Sequence, residues 1–256
     1  MSKLIDNLTQ STQAAPPMGF RISRSAAAKP TLQLVADITY DTPGKIPGAD
    51  AGIVHISSVD SGISTIKQVS GALPDTPVGA WLEKDACRQP DKVTDLGYDF
   101  LVCPADVTAL AVPPEDGVGI VLQVDSTITD GQLRTVNNLP ADAVLVSAKQ
   151  EEPGPITWHQ LMLWQHFAEL LVKPLLVRIP PGTGTAELQM LWDAGIGGVI
   201  VTLETNKSTA DLKRLRKLID GLTAPSPRKK RKTDAIVPHL EPAHEPVVEI
   251  EEDEDE

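Results

Sequence analysis

Short runs of apolar and β-branched residues recur eight times between Pro30 and Leu222, and this repetition constrains the fold more than any other feature. Each run is nearly continuous in its apolar residues, which is typical of strands that are covered on both faces, as in a parallel sheet. The runs are 32–39, 52–58, 78–84, 100–105, 119–126, 143–148, 174–179 and 198–203. We therefore predict eight buried parallel strands.

Segments with helical periodicity lie between most of these runs. The predicted helices are 64–73, 129–139, 157–172, 185–194 and 208–222. Two connections are too short or too rich in proline for a full helix: twelve residues separate Thr39 from Gly52, and 106–118 contains Pro113 and Pro114. We therefore predict that helices one and four are reduced or absent.

Eight strands that alternate with helices over about 190 residues resemble the TIM (β/α)8-barrel superfamily. The resemblance covers roughly residues 20–222, and it rests on the number of repeats and on the segment 194–201. It implies an α/β barrel whose chemistry sits at the carboxyl ends of the strands, as in barrels of the phosphate-binding type. No catalytic signature identifies a narrower family, and an open doubly wound sheet is the alternative fold.

The composition divides the chain into three parts. Residues 1–29 are predicted to pack on the barrel, with a helix near 3–10 plugging its bottom, and 30–222 form the barrel itself. Residues 223–256, the C-terminal tail, carry a basic block at 228–232 and an acidic end at 249–256. Few large apolar residues and blocks of like charge predict a disordered tail. The basic block resembles a nuclear-import signal or a nucleic-acid contact, and the alternative is a solvated run that pairs with the acidic end.

The overall charge limits the possible partners. The formal net charge of −12 would repel phosphates, so we expect neither a nucleic-acid partner nor an anionic membrane. Two cysteines cannot build a disulfide scaffold, and neither a signal peptide nor a long apolar segment is visible, so we predict a cytoplasmic protein. Reduced helices would expose strand surface, which 1–29 or a second subunit of a homo-oligomer would cover. No motif identifies a cofactor.

Alternation along the strands places polar side chains inside the barrel, because the outer face must be apolar where helices cover it. The residues predicted to point inward are Gln33, Asp37, His55, Ser57, Trp81, Glu83, Gln123, Asp125, Ser147, Lys149, Arg178, Thr202 and Glu204. Most of them fall near the carboxyl ends of the strands. The functional interpretation is a polar pocket, and the alternative is a lattice of ion pairs in a barrel without activity.

Four of these residues are candidate catalytic groups. Lys149 ends strand six, a position that resembles the Schiff-base lysine of several class I aldolases, and Asp125 or Glu83 would then transfer protons, as would Asp37. Asp37, Glu83 and Asp125, together with His55, could also hold a divalent metal, but no metal-ligand spacing supports this, and we predict none.

The remaining candidates would bind substrate. His55 and Arg178 face the pocket, and Arg178 would hold an anion. The loops after strands seven and eight contain Gly182, Gly184 and Ser208, and such loops bind substrate phosphate in many barrels. The alternative is that they are ordinary loops with good helix caps.

Together these features predict an enzyme of the lyase or isomerase type that acts on a small anionic metabolite, for example a phosphorylated one. The alternative is a non-catalytic, degenerate barrel that serves as a protein-interaction module through its charged tail.

Overall fold

The eight predicted strands pair side by side, all in parallel, into a closed barrel in chain order, with β8 returning to β1. The computed structural model describes residues 2–12, 31–39, 46, 48–73, 76–110, 117–147, 154–204 and 209–225. The strands are β1 (Gln33–Ile38), β2 (Ala51–Ile56), β3 (Val78–Leu82), β4 (Phe100–Pro104), β5 (Gly119–Asp125), β6 (Ala143–Ser147), β7 (Leu175–Arg178) and β8 (Gly198–Leu203). The predicted (β/α)8 barrel is confirmed, and the open doubly wound sheet is wrong because β1 and β8 are hydrogen-bonded along six residue pairs.

Helices connect most of the strands. They are α1 (Lys3–Thr12), α2 (Val59–Ala72), α3 (Pro90–Thr94), α4 (Asp130–Val136), α5 (Trp158–Leu170), α6 (Thr185–Asp193) and α7 (Thr209–Asp220), with a 3₁₀ turn at Ala86–Arg88. Among the described residues, no helix joins β1 to β2 or β4 to β5, which confirms the prediction for helices one and four.

Some helices begin at residues other than the predicted ones. Helix α4 begins one residue later, because Thr129 is its N-cap and its hydroxyl accepts from the amide of Gln132. Helix α2 begins five residues before the predicted start, because Ser58 and Ser61 form a reciprocal capping box there.

Side chains alternate between the two faces of each strand, so the barrel has an inner and an outer layer of apolar packing. Inward side chains such as Val35, Ile53 and Val102 fill the middle of the barrel. Outward side chains such as Leu34 and Val54 pack under the helices. In the absence of a described helix one, Ile46 is only 4% exposed and joins this outer layer. Whether a second subunit covers further strand surface stays a prediction.

Helix α1 closes the amino end of the barrel. Its Leu4 and Leu8 are fully buried against the inward-facing residues. The approach is so close that a Cβ atom at Gly119 would lie 2.5 Å from Ile5 of α1. The carboxylate of Asp99 accepts from the hydroxyl of Ser2 and from the first amides of α1, which anchors the helix start. Solvent therefore reaches the barrel interior from the carboxyl ends of the strands.

Several predictions fall on residues outside the described part of the chain. These include most of the C-terminal tail, from residue 226 on, as well as Lys149 and Ser208. The three-part division of the chain also stays a prediction. Within the described residues, none of the helices has the length and apolar character needed to cross a membrane.

Candidate active site at the barrel mouth

Five neighbouring strands bring polar side chains together at the carboxyl end of the barrel. In spatial order these strands are β7, β8, β1, β2 and β3, and they carry Arg178, Thr202, Asp37, His55 and, just after β3, Glu83. The register sets Asp37 beside Thr202 and His55 beside Trp81. The predicted inward orientation of these residues is what allows them to meet.

Asp37 is the centre of this cluster. Its Oδ1 accepts from Nε2 of His55 at 2.7 Å, and its Oδ2 accepts from Arg178 at 3.0 Å and from the Thr202 hydroxyl at 3.2 Å. The Asp37 side chain is only 1% exposed, whereas those of His55 and Arg178 are about a quarter exposed. Three donors, two of them cationic, therefore compensate the burial of this carboxylate.

His55 lies between two carboxylates. Its Nδ1 faces Oε1 of Glu83 at 2.8 Å, while Nε2 faces Asp37. An ionised carboxylate only accepts hydrogen bonds, so a ring between two of them donates from both nitrogens, and this geometry favours the imidazolium form. Burial lowers the pKa of His55, but the hydrogen bonds and negative charges of Asp37 and Glu83 outweigh it and raise the pKa above its usual value.

Trp81 supports both cations of the cluster. The His55 ring stacks on the indole with 5.2 Å between centroids and 13° between planes, and the Arg178 guanidinium lies 5.0 Å from the indole centroid. Cations are attracted to the face of an indole, so Trp81 holds both groups in position. Trp81 and Thr202 were not among the predicted site residues, although the alternation of β3 and β8 already placed both inward.

The charges of the cluster balance. Asp37 and Glu83 are opposed by His55 and Arg178, so the formal sum is zero. Glu83 is the most exposed of the four, with 44% of its side chain accessible. Of these four groups, Glu83 is therefore the one that solvent reaches most easily.

On the other half of the mouth, the described part of the chain carries Gln123, Ser147 and Asp125. The Gln123 amide donates to the Ser147 hydroxyl at 2.6 Å, which links β5 to β6. Asp125 accepts from both the amide and the hydroxyl of Thr127, as in a turn that ends a strand. The predicted catalytic role of Asp125 stays a prediction.

In the loop after β7, a carboxylate of the protein itself already accepts the backbone amide that a substrate anion would use. The Gly184 amide, at the start of α6, donates to Oε2 of Glu187 at 2.7 Å, and Gly184 is the N-cap of this helix. A substrate phosphate would have to displace this carboxylate. Gly182 lies in an exposed turn of the same loop. The anion site at Gly182 and Gly184 therefore stays a prediction.

The described residues contain no group of three or more His, Cys, Asp or Glu side chains placed to hold a metal ion. Within the cluster, the His55 nitrogens that could bind a metal both point at carboxylates. The arrangement therefore suits proton transfer and the binding of an anion beside Arg178.

The free energy of unfolding should fall as the pH rises through the pKa of His55. A raised pKa in the folded state means that the stabilisation is complete below about pH 6.5 and is lost above it, with a slope of at most about 1.4 kcal/mol per pH unit. Urea unfolding from pH 5.5 to 9 measures this slope. The variant His55→Gln should lack it, and equal slopes in both proteins would contradict the assignment.

Comparison with known proteins supports the fold alone. A scan against protein-family models finds no match, and neither does a search of curated proteins. Orotidine 5′-phosphate decarboxylase from Pyrococcus horikoshii OT3 superposes with a TM-score of 0.53 at 14% identity, over 74% of this chain and 100% of that one. A mutant tryptophan synthase α-subunit from Pyrococcus furiosus gives a TM-score of 0.52 at 11% identity, over 74% of this chain and 98% of that one. This chain is a TIM barrel.

Proposed function

We propose that the mouth of this TIM barrel is an active site that moves a proton on a small anionic metabolite, in a reaction of the lyase or isomerase type. The observation that supports it is the hydrogen-bonded series Asp37–His55–Glu83 with Arg178 beside it. It lies at the carboxyl ends of the strands, where barrel enzymes place their chemistry. The barrel is closed at its other end by α1.

Arg178 is the proposed anion-binding group. Its guanidinium is fixed between Asp37 and Trp81 and stays about a quarter exposed at the mouth. Guanidinium groups bind carboxylates and phosphates through paired N–H donors, and they need not be deprotonated or reoriented to do so. One structural neighbour is named for a phosphorylated substrate, orotidine 5′-phosphate, and phosphorylated metabolites are therefore the first class to test.

Glu83 is the proposed base. Its carboxylate takes a proton from a carbon next to a carbonyl group, and the electron pair of that C–H bond moves onto the carbonyl oxygen to give an enolate. Reprotonation at the same carbon gives an exchanged product. Where that carbon bears a hydroxyl group, the enolate is an enediolate: the hydroxyl loses its proton, the former carbonyl oxygen gains one, and protonation of the former carbonyl carbon gives the isomerised product. His55 orients Glu83 through the hydrogen bond at Nδ1, and Asp37 is a positioning residue that keeps His55 protonated.

Other predicted roles belong to the same proposal. In an alternative route Lys149 would form an imine with the carbonyl group, with loss of water. The electron pair of the C–H bond would then move onto the imine nitrogen, and Asp125 would assist proton transfer from the opposite side of the mouth. Gly182, Gly184 and Ser208 would hold a phosphate group. A cytoplasmic location fits such a metabolite.

Hydrogen exchange in D2O tests the proposal without knowledge of the natural substrate. Small 2-oxo acids and phosphorylated aldoses and ketoses are incubated with the full chain, and proton NMR follows the loss of signal from the carbon next to the carbonyl. We expect at least one compound to exchange faster than with heat-denatured protein. Native mass spectrometry of the purified protein, compared with the denatured mass, should show a retained anion of the same class.

The control variant is Asp85→Asn, which removes a carboxylate just beyond β3 that is 70% exposed, and it should leave the exchange rate unchanged. If no compound of the panel exchanges and no small molecule is retained across several preparations, the enzymatic proposal fails. The interaction-module alternative would then be preferred.

A further inference from the structure

An apolar groove lies between α5 and α6 on the outside of the barrel, away from the cluster around Asp37. Its walls include Ile156, Trp158 and Leu161 on one side and Met190 and Leu191 on the other, around a cavity of about 170 Å³. Trp158 is 74% exposed and Met190 is 37% exposed. An exposed tryptophan beside an apolar groove is typical of a surface that binds a protein segment.

The two helices that form the groove are acidic. Neither α5 nor α6 contains a lysine or an arginine, and together they carry Glu169, Glu187 and Asp193. A segment that combines apolar side chains with basic ones would therefore complement this surface.

The C-terminal tail begins next to α6. After α7, the backbone of Thr223 forms two hydrogen bonds with the side chain of Gln189: the Thr223 amide donates to Oε1 at 3.0 Å, and the Thr223 carbonyl accepts from Nε2 at 2.9 Å. Gln189 directly precedes Met190 of the groove. The last described residue, Pro225, thus lies close to α6.

The tail carries its basic and apolar segments in an order that suits the groove, and the chain before the apolar segment is long enough to reach it. Five consecutive basic residues, 228–232, come first, and the apolar segment 235–240 (AIVPHL) follows. Eleven residues lead from Pro225 to Ile236, and an extended chain of this length spans up to about 36 Å. Helix α6, with nine residues, is only about 13 Å long. The apolar segment can therefore reach any part of the groove.

We propose that residues 235–240 of the chain's own tail bind in the α5–α6 groove, with the basic block 228–232 lying against the carboxylates of α5 and α6. Tethering gives such a segment an effective concentration in the mM range, so contacts that are weak between separate molecules suffice. A second copy of the chain is disfavoured as the occupant because residues 1–224 alone carry a net charge of −7, and two such bodies repel each other.

Acrylamide quenching of tryptophan fluorescence tests this proposal in the full chain. Trp81, Trp164 and Trp192 are each at most 7% exposed, so Trp158 alone accounts for the quenchable signal when the groove is open. The variant Ile236→Asp/Val237→Asp places two charges in the docking segment. It should about double the quenching constant, because the tethered segment binds mainly through apolar burial. The matched control is Val247→Asp/Val248→Asp in the same tail, which should leave quenching unchanged.

Two further measurements keep the outcomes distinct. In Trp158→Phe the difference between the tail variants should vanish, which assigns the signal to the groove. Quenching of the native chain should not depend on protein concentration. Equal quenching in the native chain and in both tail variants would overturn the proposal, and so would protection that appears only at high protein concentration, which would indicate a second copy.

Discussion

Glu83→Gln is expected to slow hydrogen exchange at the substrate carbon by about 10²- to 10⁴-fold, the range that a positioned acid–base group contributes. The glutamine side chain has nearly the same shape and keeps an acceptor for Nδ1 of His55, but it cannot take up a proton. Glu83 is suited to this test because its carboxylate is both held by His55 and 44% exposed. Proton NMR in D2O measures the effect on whichever compound the native protein exchanges.

The control for this loss is again Asp85→Asn, which removes an exposed carboxylate near the same end of the barrel. Circular dichroism and the affinity for the substrate anion should stay close to native values in both variants, because neither touches Arg178. Native exchange rates in Glu83→Gln would remove Glu83 from the mechanism and shift attention to Lys149 as the reacting group.

Asp37→Asn is expected to lower the free energy of unfolding by about 3 kcal/mol, since removal of one partner from a buried ion pair leaves the other charges uncompensated. The asparagine would sit at a position that is 1% exposed and would turn an amide donor towards His55, Arg178 or Thr202. The two cations keep about a quarter of their surface exposed, which places the effect at the lower end of the usual range. Urea unfolding near pH 7 measures it.

The matched control is Asp85→Asn. Asp85 also pairs with an arginine, Arg88, but both side chains are at least 70% exposed, and such pairs contribute little. The double variant Asp37→Asn/His55→Gln should recover part of the lost stability, because it removes one of the uncompensated cations. If Asp37→Asn and Asp85→Asn unfold at the same urea concentration, Asp37 is not the centre of the network.

Much of the architecture follows from local sequence patterns. Near-continuous apolar runs predict buried parallel strands because both faces of such strands are covered, and all eight runs are strands. The connection from β1 to β2, which contains no helix among its described residues, is also predicted locally, since the twelve residues between Thr39 and Gly52 are too few for a full crossover helix. The start of α2 was less accurate, because several neighbouring polar residues can each cap a helix and the backbone geometry selects among them.

In the candidate site, too, local patterns predicted some features and missed others. Alternation along each strand predicted that Asp37, His55, Glu83 and Arg178 point inward. It could not predict that Glu187 caps Gly184 and so occupies the expected anion position. It also gave no reason to single out Trp81, whose importance comes from the two cations stacked on it.

By itself, the sequence determined the number of strands, their burial and the inward face of Asp37, His55 and Arg178, because these depend on periodicity within a few residues. Only the tertiary structure decided which side chains pair. Asp37 and Arg178 are 141 positions apart, and they meet because barrel closure places β8 between β7 and β1 in a fixed register. Contacts of this kind depend on how distant strands align, and no spacing along the chain records that alignment.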